Sequence, residues 1–275
     1  MPGIEVLQLY PNHQAFVQRF VQACQADERV VAAFLGGSNV KGTKDEFSDI
    51  DVCIITSNSS YEEFYNQRQV FLQSLGELVF LEDFGIPNIA FFIFADGTEG
   101  ELYFGNERRL NQIHSGPFRT LLDKKNILTE AAFPEHEPDK SHQLEQLRHL
   151  VYGFWHEMSH FITAIGRNQL WWARGQLDEL RAICVNLARL ESNFSDDGVG
   201  GEPYFKIKNA MDVKKISPLT STFCTMEKEA MLSSAHIIVQ FYKRISQSLV
   251  QMHRIAYPQN LESVMLQRLE KVSAA

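Results

Sequence analysis

The chain has 275 residues, 44% of them hydrophobic, which is enough for a sizeable core in one large domain or two smaller ones. Its 34 acidic residues outnumber its 26 basic residues, the formal net charge is −8, and no block of Lys or Arg stands out. This balance argues against a long polynucleotide as a substrate and favours a cationic small molecule, which an acidic cleft would attract.

No apolar stretch approaches the length needed to span a bilayer, and the N-terminus lacks the pattern of a signal peptide. The four cysteines are scattered, with no C-x-x-C pair, and Cys53 and Cys184 lie within apolar patterns typical of reduced core residues. We therefore expect a cytoplasmic protein with no membrane partner.

The first predicted elements are one helix and two strands. Phe16, Phe20 and Cys24 recur at helical spacing and predict an amphipathic helix over residues 11–27. The apolar run at residues 30–35 predicts a buried strand that ends at Gly36-Gly37-Ser38. Residues 49–56 predict a second strand with two acidic residues near its start.

Asp49 and Asp51 are two positions apart, so on a strand their side chains point to the same face. Two carboxylates on one face repel each other, and Mg²⁺ relieves this repulsion while using water and phosphate oxygens as its other ligands. Gly37 carries no side chain to keep a phosphate from the backbone, and Ser38 adds a hydroxyl where a short helix could begin. The stretch predicts a site for phosphate and metal.

The loop between the two strands contains Lys41 and Lys44. Lys41 is either a phosphate contact or a solvated loop charge, whereas Lys44 fits a solvated charge better. Further along, the pattern predicts a helix over residues 61–75 and strands over 78–81, 89–95 and 121–123. A hairpin turn at 96–100 leads into a strand that Glu101 opens; on its own, Glu101 fits an exposed hairpin acid better than a functional residue.

Residues 133–139 contain two prolines among charged and polar residues and indicate a domain boundary. Beyond it, the spacing predicts helices over 142–165, 169–190, 223–252 and 261–272, with a loop over 193–203. The predicted fold class is α+β: an N-terminal mixed sheet with flanking helices in residues 1–135, and a C-terminal helical bundle in residues 136–275.

The strand, Gly-Ser turn, spacer and Asp-x-Asp strand together resemble the active-site motif of the nucleotidyltransferase superfamily. More narrowly, the chain is similar to the lincosamide nucleotidyltransferases and their aminoglycoside-modifying relatives. The segments that carry this resemblance are Gly37-Ser38-Asn39-Val40-Lys41-Gly42, Phe47-Ser48-Asp49-Ile50-Asp51, Gly100-Glu101-Leu102-Tyr103-Phe104 and Leu177-Asp178-Glu179-Leu180-Arg181.

The resemblance implies Mg²⁺-dependent transfer of a nucleoside monophosphate, AMP from ATP, to a hydroxyl group of a small molecule such as a lincosamide or an aminoglycoside. It implies that Gly37, Ser38 and Lys41 bind the nucleotide and that Asp49 and Asp51 hold the metal. Glu101 would be the third carboxylate, as a metal ligand or general base, and the helical domain would bind the acceptor. A degenerate nucleotide-binding module with a regulatory role remains an alternative.

A second motif, His156-Glu157-x-x-His160, points to another class of protein. On a helix the two histidines share a face and could bind Zn²⁺, with Glu157 as the general base of a zinc hydrolase. No glycine-bearing extension that would supply a third ligand follows it. The alternative is a pair of half-exposed helix histidines.

Overall fold

The computed structural model describes residues 9–134, 139–195 and 202–274. The chain divides into two compact units, Met1–His136 and Glu137–Ala275. The predicted boundary between residues 135 and 136 lies outside the described residues, and what each unit does stays a prediction.

The first unit is built on a mixed six-stranded sheet with the strand order β3-β4-β5-β2-β1-β6. Among the described strands, β2 and β5 pair in parallel and all other neighbours are antiparallel. The strands are β1 (Val30–Leu35), β2 (Ile50–Thr56), β3 (Leu78–Glu82), β4 (Ile89–Phe94), β5 (Glu99–Asn106) and β6 (Arg119–Asp123). The helices are α1 (Pro11–Ala26), α2 (Gly37–Lys41) and α3 (Tyr61–Gln73), and a 3-10 segment spans Glu107–Gln112.

Strand β1 is buried along its whole length, which explains its unbroken apolar sequence. Leu35 belongs to a core formed with α1 and α3, whereas Phe34 belongs to a smaller cluster on the other side of the sheet with Leu128 and Phe133. The larger core is rich in stacked rings: Phe16 of α1 lies 5.3 Å from Phe92 of β4 between ring centroids.

Pro11 favours the start of helix α1, and the side chain of Lys124 binds its C-terminal end. Pro11 stands in its first turn, where the missing N–H costs no hydrogen bond. At the other end the ammonium of Lys124 donates to the carbonyls of Cys24, at 2.9 Å, and Asp27, at 2.8 Å. The first contact satisfies a carbonyl that the last turn of the helix leaves unpaired, and the second adds to the N–H of Val30, which the Asp27 carbonyl also accepts.

The second unit is helical, as predicted. Its helices are α4 (Lys140–Gly166), α5 (Leu170–Ser192), α6 (Ile207–Ala210), α7 (Ser217–Thr220), α8 (Lys228–His253) and α9 (Gln259–Ser273), with a 3-10 segment at Val213–Ile216. Its core centres on Phe154, Trp155 and Tyr242. The rings of Phe154 and Tyr242 stack at 3.7 Å, and the Tyr242 hydroxyl donates to the carbonyl of Val151 at 2.7 Å.

The predicted start of the long helix at residue 223 is wrong, because α8 begins at Lys228. Two arginine side chains of α5 bind backbone carbonyls in this stretch: Arg181 binds that of Thr222 and Arg174 that of Cys224, both at 3.0 Å. The guanidinium of Arg181 also lies 4.4 Å from the ring centroid of Phe223. These contacts hold the segment before Lys228 in a non-helical conformation.

Cys53 and Cys184 are buried and unpaired, as predicted. Within the described residues, no helix combines the length and the apolar character that crossing a membrane requires.

Candidate active site

The parallel pairing of β2 with β5 brings two of the predicted acids together. Asp51 and Glu101 are direct partners in that register, so their side chains leave the sheet side by side. One ligand oxygen from each of Asp49, Asp51 and Glu101 lies within 4.8 Å of the other two. All three residues are partly buried.

The prediction that Asp49 lies on the strand is wrong by one residue, because β2 begins at Ile50. The side-chain amide of Asn39, a residue of α2, donates to the backbone carbonyl of Asp49 at 2.9 Å. Asn39 thereby fixes the backbone on which the first acid sits. The sequence contained no signal for this role.

Gly37 lies against the carboxylate of Asp51. Its φ of +61° is in the left-handed region, and a Cβ added at Gly37 would lie 1.5 Å from Oδ2 of Asp51. The preceding residue, Gly36, donates its N–H to the Asp51 carbonyl at 2.9 Å. The turn and the second acid are therefore packed so closely that only glycine fits at position 37.

Two of the three predicted nucleotide-binding residues line a cavity together with Asp51. Gly37, Lys41 and Asp51 line this cavity of about 290 Å³, together with Tyr103 and His114. Ser38 Oγ is buried and, among the residues that the structure describes, has no hydrogen-bond partner. An unpartnered buried hydroxyl is costly, which makes Ser38 a group that gains from a ligand oxygen.

Tyr103 holds the third acid in place. Its hydroxyl donates to Oε2 of Glu101 at 2.5 Å. Burial raises the pKa of Tyr103, and Glu101, Asp51 and Asp49 raise it further, so the phenol stays protonated and remains a donor. Tyr103 and Glu101 are two positions apart on β5, and strand alternation alone could have identified this pair.

His114 and His13 are two further residues that sequence reasoning missed. His114 lies over the turn, and a Cβ at Gly36 would lie 2.9 Å from its Cε1. His13 of α1 is buried; burial lowers its pKa, while Asn39 and the Asp49 carboxylate act in the opposite direction. Neither histidine falls in a pattern that marks it as part of a site.

The three acids fit a divalent metal ion. Carboxylate oxygens are the ligands that Mg²⁺ prefers, and Mg²⁺ is commonly held by only one or two of them, with water and phosphate completing its coordination. The spacing within 4.8 Å brings one oxygen from each acid around a common point. Repulsion among three neighbouring carboxylates falls when a cation lies between them.

The second predicted motif also forms a cluster. His156, Glu157 and His160 lie on α4, and their potential ligand atoms are within 4.8 Å of one another. In the part of the chain that the structure describes, this group and the three acids are the two sets of three or more residues that could hold a metal ion.

Comparison with known proteins identifies a family. The family model described as streptomycin adenylyltransferase matches residues 12–272. Among solved structures, the chain is similar to an aminoglycoside 6-adenyltransferase from Bacillus subtilis, with 15% identity over 95% of this chain and 97% of that chain and a TM-score of 0.43. A structural likeness of that size carries no information about the substrate. No curated protein sequence matches the chain.

Proposed function

Because the chain belongs to the streptomycin adenylyltransferase family, we propose that this adenylyltransferase moves AMP from ATP onto a hydroxyl group of an aminoglycoside antibiotic. The family match confirms the resemblance that the sequence motifs indicated, and it favours the aminoglycoside over the lincosamide as acceptor. The observation that carries the proposal is the group of Asp49, Asp51 and Glu101, whose ligand oxygens lie within 4.8 Å of one another beside the Gly37 turn.

Asp49 and Asp51 would hold a divalent cation, which we propose to be Mg²⁺, and Glu101 would stand beside it as the general base. Such an ion neutralises charge on the triphosphate and on the departing pyrophosphate. Asp49 and Asp51 would be the protein's ligands to this ion, and phosphate and water would supply the other ligands.

Gly37, Ser38 and Lys41 would bind the rest of the triphosphate. The absence of a side chain at Gly37 lets phosphate oxygens approach the backbone. The Ser38 hydroxyl would find in a phosphate oxygen the partner that it lacks among the described residues. Lys41, which is exposed and lines the same cavity as Gly37 and Asp51, would place its ammonium against a phosphate.

In the reaction, the acceptor hydroxyl oxygen bonds to the α-phosphorus of ATP while the bond from that phosphorus to the β-phosphate oxygen breaks. Pyrophosphate leaves, and Glu101 takes the proton of the hydroxyl as general base. The hydrogen bond from Tyr103 to Oε2 orients Glu101 for this step. The assignment of acceptor binding to residues 136–275 remains a prediction from the sequence.

The test is pyrophosphate release from each of the four nucleoside triphosphates, with Mg²⁺ or with excess chelator. The acceptors would be streptomycin, other aminoglycosides and a lincosamide. We expect release that depends on ATP, metal and an aminoglycoside. In Asp51→Asn, which removes a ligand charge without adding bulk, we expect release to fall roughly 10³-fold, since losing metal-assisted charge stabilisation costs several kcal/mol.

The control is the fold of the variant, measured by circular dichroism and thermal unfolding. Turnover retained by a folded Asp51→Asn protein would refute the assignment of the site. Tight binding of Mg-ATP without release for any acceptor would instead support the degenerate nucleotide-binding module. The family match gives the zinc hydrolase alternative no support.

A further inference from the structure

We propose that helix α4 carries a second metal site, separate from the adenylyltransferase site and suited to a transition-metal ion such as Zn²⁺, formed by His156, Glu157 and His160. The family assignment and the proposed reaction make no use of this cluster. It lies in the second unit, on a helix that the structure describes in full.

The cluster lies on the solvent-facing side of α4. The residues of the opposite face, Trp155, Met158 and Phe161, are completely buried and fix the orientation of the helix. The side chain of His156 is 66% exposed, that of Glu157 26% and that of His160 41%. An ion from solution can therefore reach all three side chains without any opening of the core.

The distances fit chelation of one ion. The two imidazole centroids are 4.4 Å apart with an interplanar angle of 65°. Glu157 lies between them: one carboxylate oxygen is 3.3 Å from Nδ1 of His160, and the other is 3.9 Å from Nε2 of His156. Ligand atoms that bind Zn²⁺ at about 2.0–2.2 Å with tetrahedral angles lie roughly 3.3–3.6 Å apart, so side-chain rotation alone completes the site.

The donor set selects the metal. Two imidazoles and one carboxylate suit Zn²⁺, Ni²⁺ or Cu²⁺, whereas the all-carboxylate group of Asp49, Asp51 and Glu101 suits Mg²⁺. Histidines at positions i and i+4 share one face of a helix, so both ring nitrogens can bind a single ion. The remaining coordination positions face solvent, and water would fill them.

The geometry points to metal binding rather than hydrolysis. In an H-E-x-x-H hydrolase the glutamate is the general base for a metal-bound water and is not a ligand. Here the carboxylate of Glu157 lies close enough to both histidines to serve as a third ligand. The inference is therefore a binding site for the metal alone, with no reaction assigned to it.

Binding at this site has a built-in spectroscopic reporter. The ring of His160 lies 5.9 Å from the ring of Trp172 on α5. A paramagnetic ion such as Cu²⁺ at His160 would quench the fluorescence of Trp172. Because the metal binds only the folded arrangement of the three side chains, a saturating ion would also raise the Tm of the protein.

The test is titration of the full-length, tag-free protein with Zn²⁺ against a chromogenic chelator, and with Cu²⁺ while tryptophan fluorescence is followed. With excess Mg²⁺ present to occupy the group of Asp49, Asp51 and Glu101, we expect one Zn²⁺ bound per chain, a higher Tm with Zn²⁺, and quenching by Cu²⁺. His156→Gln and His160→Gln should each weaken Zn²⁺ binding by at least roughly tenfold and remove the Tm increase. Both positions are solvent-exposed, and circular dichroism would verify that the variants fold.

The chain offers matched controls. His149 forms a pair with Glu145 at 3.9 Å on the same helix, at similar exposure, so His149→Gln should retain full binding. Cys224→Ser tests the one cysteine that is not fully buried, and Asp51→Asn tests the active site; both should retain binding.

Zn²⁺ affinity unchanged in His156→Gln and His160→Gln, or lost equally in His149→Gln, would overturn the proposal. Because adenylyl transfer is measured separately, failure here leaves the proposed reaction intact.

Discussion

Gly37 and Gly42 both have left-handed backbone conformations, with φ of +61° and +74°, but their surroundings differ. A Cβ at Gly37 would lie 1.5 Å from Oδ2 of Asp51, whereas nothing lies within 4 Å of a Cβ at Gly42. Gly37→Ala must therefore displace the carboxylate of Asp51. We expect adenylyl transfer to fall at least roughly 100-fold, because a small misplacement of a group at the reacting centre can cost that much.

Gly42→Ala is the matched control, because it introduces the same methyl group at a similar φ with no neighbour to displace. It should cost only the left-handed backbone strain, about 1 kcal/mol of unfolding free energy, and leave kcat close to that of the wild type. Denaturation midpoints and kcat for the two variants make the comparison. Equal losses of kcat in both would show that strain, and not Asp51, accounts for the effect.

Tyr103→Phe removes the hydroxyl that donates to Glu101 and keeps the ring. A hydrogen bond to a charged group contributes about 1.5–3 kcal/mol, and part of this holds Glu101 in its reactive orientation. We expect kcat to fall roughly tenfold, equivalent to about 1.4 kcal/mol, with a change in the KM for ATP of less than about twofold.

Tyr61→Phe is the control for Tyr103→Phe, because Tyr61 also donates its hydroxyl to a side chain, that of Asn88, which is not one of the three acids. Steady-state kinetics on both variants would separate positioning from a general loss of stability. A Tyr103→Phe enzyme with the same kcat as Tyr61→Phe would contradict the positioning role of Tyr103.

At the scale of elements, most helices and strands were predictable because their apolar residues repeat with a clear period. Strand β1 matches its prediction at both ends, and α1 and α3 begin where their patterns begin. The pairing of β2 with β5 was not predictable from spacing, since register between distant strands depends on the whole sheet. That register places Glu101 beside Asp51, and only the family resemblance indicated it.

Arg181 shows why the start of α8 was predicted incorrectly. It falls beside the apolar stripe of α5, yet it is 1% exposed, and it forms an ion pair with Asp178. A buried arginine needs partners from elsewhere in the fold, here the carbonyl of Thr222 and the ring of Phe223. No periodicity in the sequence encodes those partners, so the late start of α8 could not be predicted either.

We expect the stability of the first unit to depend on pH through His13 of helix α1. The pKa of His13 is lowered, chiefly by burial, so below about pH 6.5 the unfolded chain takes up this proton more readily than the folded one. The neutral ring thus contributes stability that is present above about pH 6.5 and is lost as the pH falls through the lower folded pKa. His13→Gln cannot titrate and should reduce this dependence.

The measurement is chemical denaturation of wild type and His13→Gln at about pH 7.5 and about pH 5, compared as the change in unfolding free energy for each protein. Using the change removes any constant effect of the substitution itself. We expect a smaller decrease on acidification in the variant. An equal decrease in both proteins would mean that His13 does not contribute to the acid sensitivity.

At the scale of the whole molecule, each unit has its own hydrophobic core, and the aromatic residues of the chain supply much of both cores. Phenylalanine is abundant, with 20 in the chain, and rings such as Phe16 and Phe92 fill the space between sheet and helices in the first unit. In the second unit Phe154 and Tyr242 stack between α4 and α8. The sequence indicated two domains because the spacing of hydrophobic residues predicts both strands and helices before the predicted boundary and only helices after it.

The net charge of −8 gives opposite salt dependences for the two proposed substrates. An aminoglycoside is cationic and is attracted by an acidic protein, whereas ATP is anionic and is repelled by its overall field. Raising the ionic strength from about 0.02 to about 0.3 M shortens the screening length severalfold. We expect kcat/KM for the aminoglycoside to fall severalfold over this range, while kcat/KM for ATP falls much less or rises.

Initial rates with one substrate saturating and the other varied, in KCl and in potassium acetate at equal ionic strength, give the two dependences. Two salts are needed because binding of a particular anion would differ between them, whereas screening depends on ionic strength alone. A decrease of similar size for both substrates would point to a general effect of salt on the enzyme. A kcat/KM for the aminoglycoside that does not change with salt would exclude long-range attraction and leave acceptor recognition to short-range contacts.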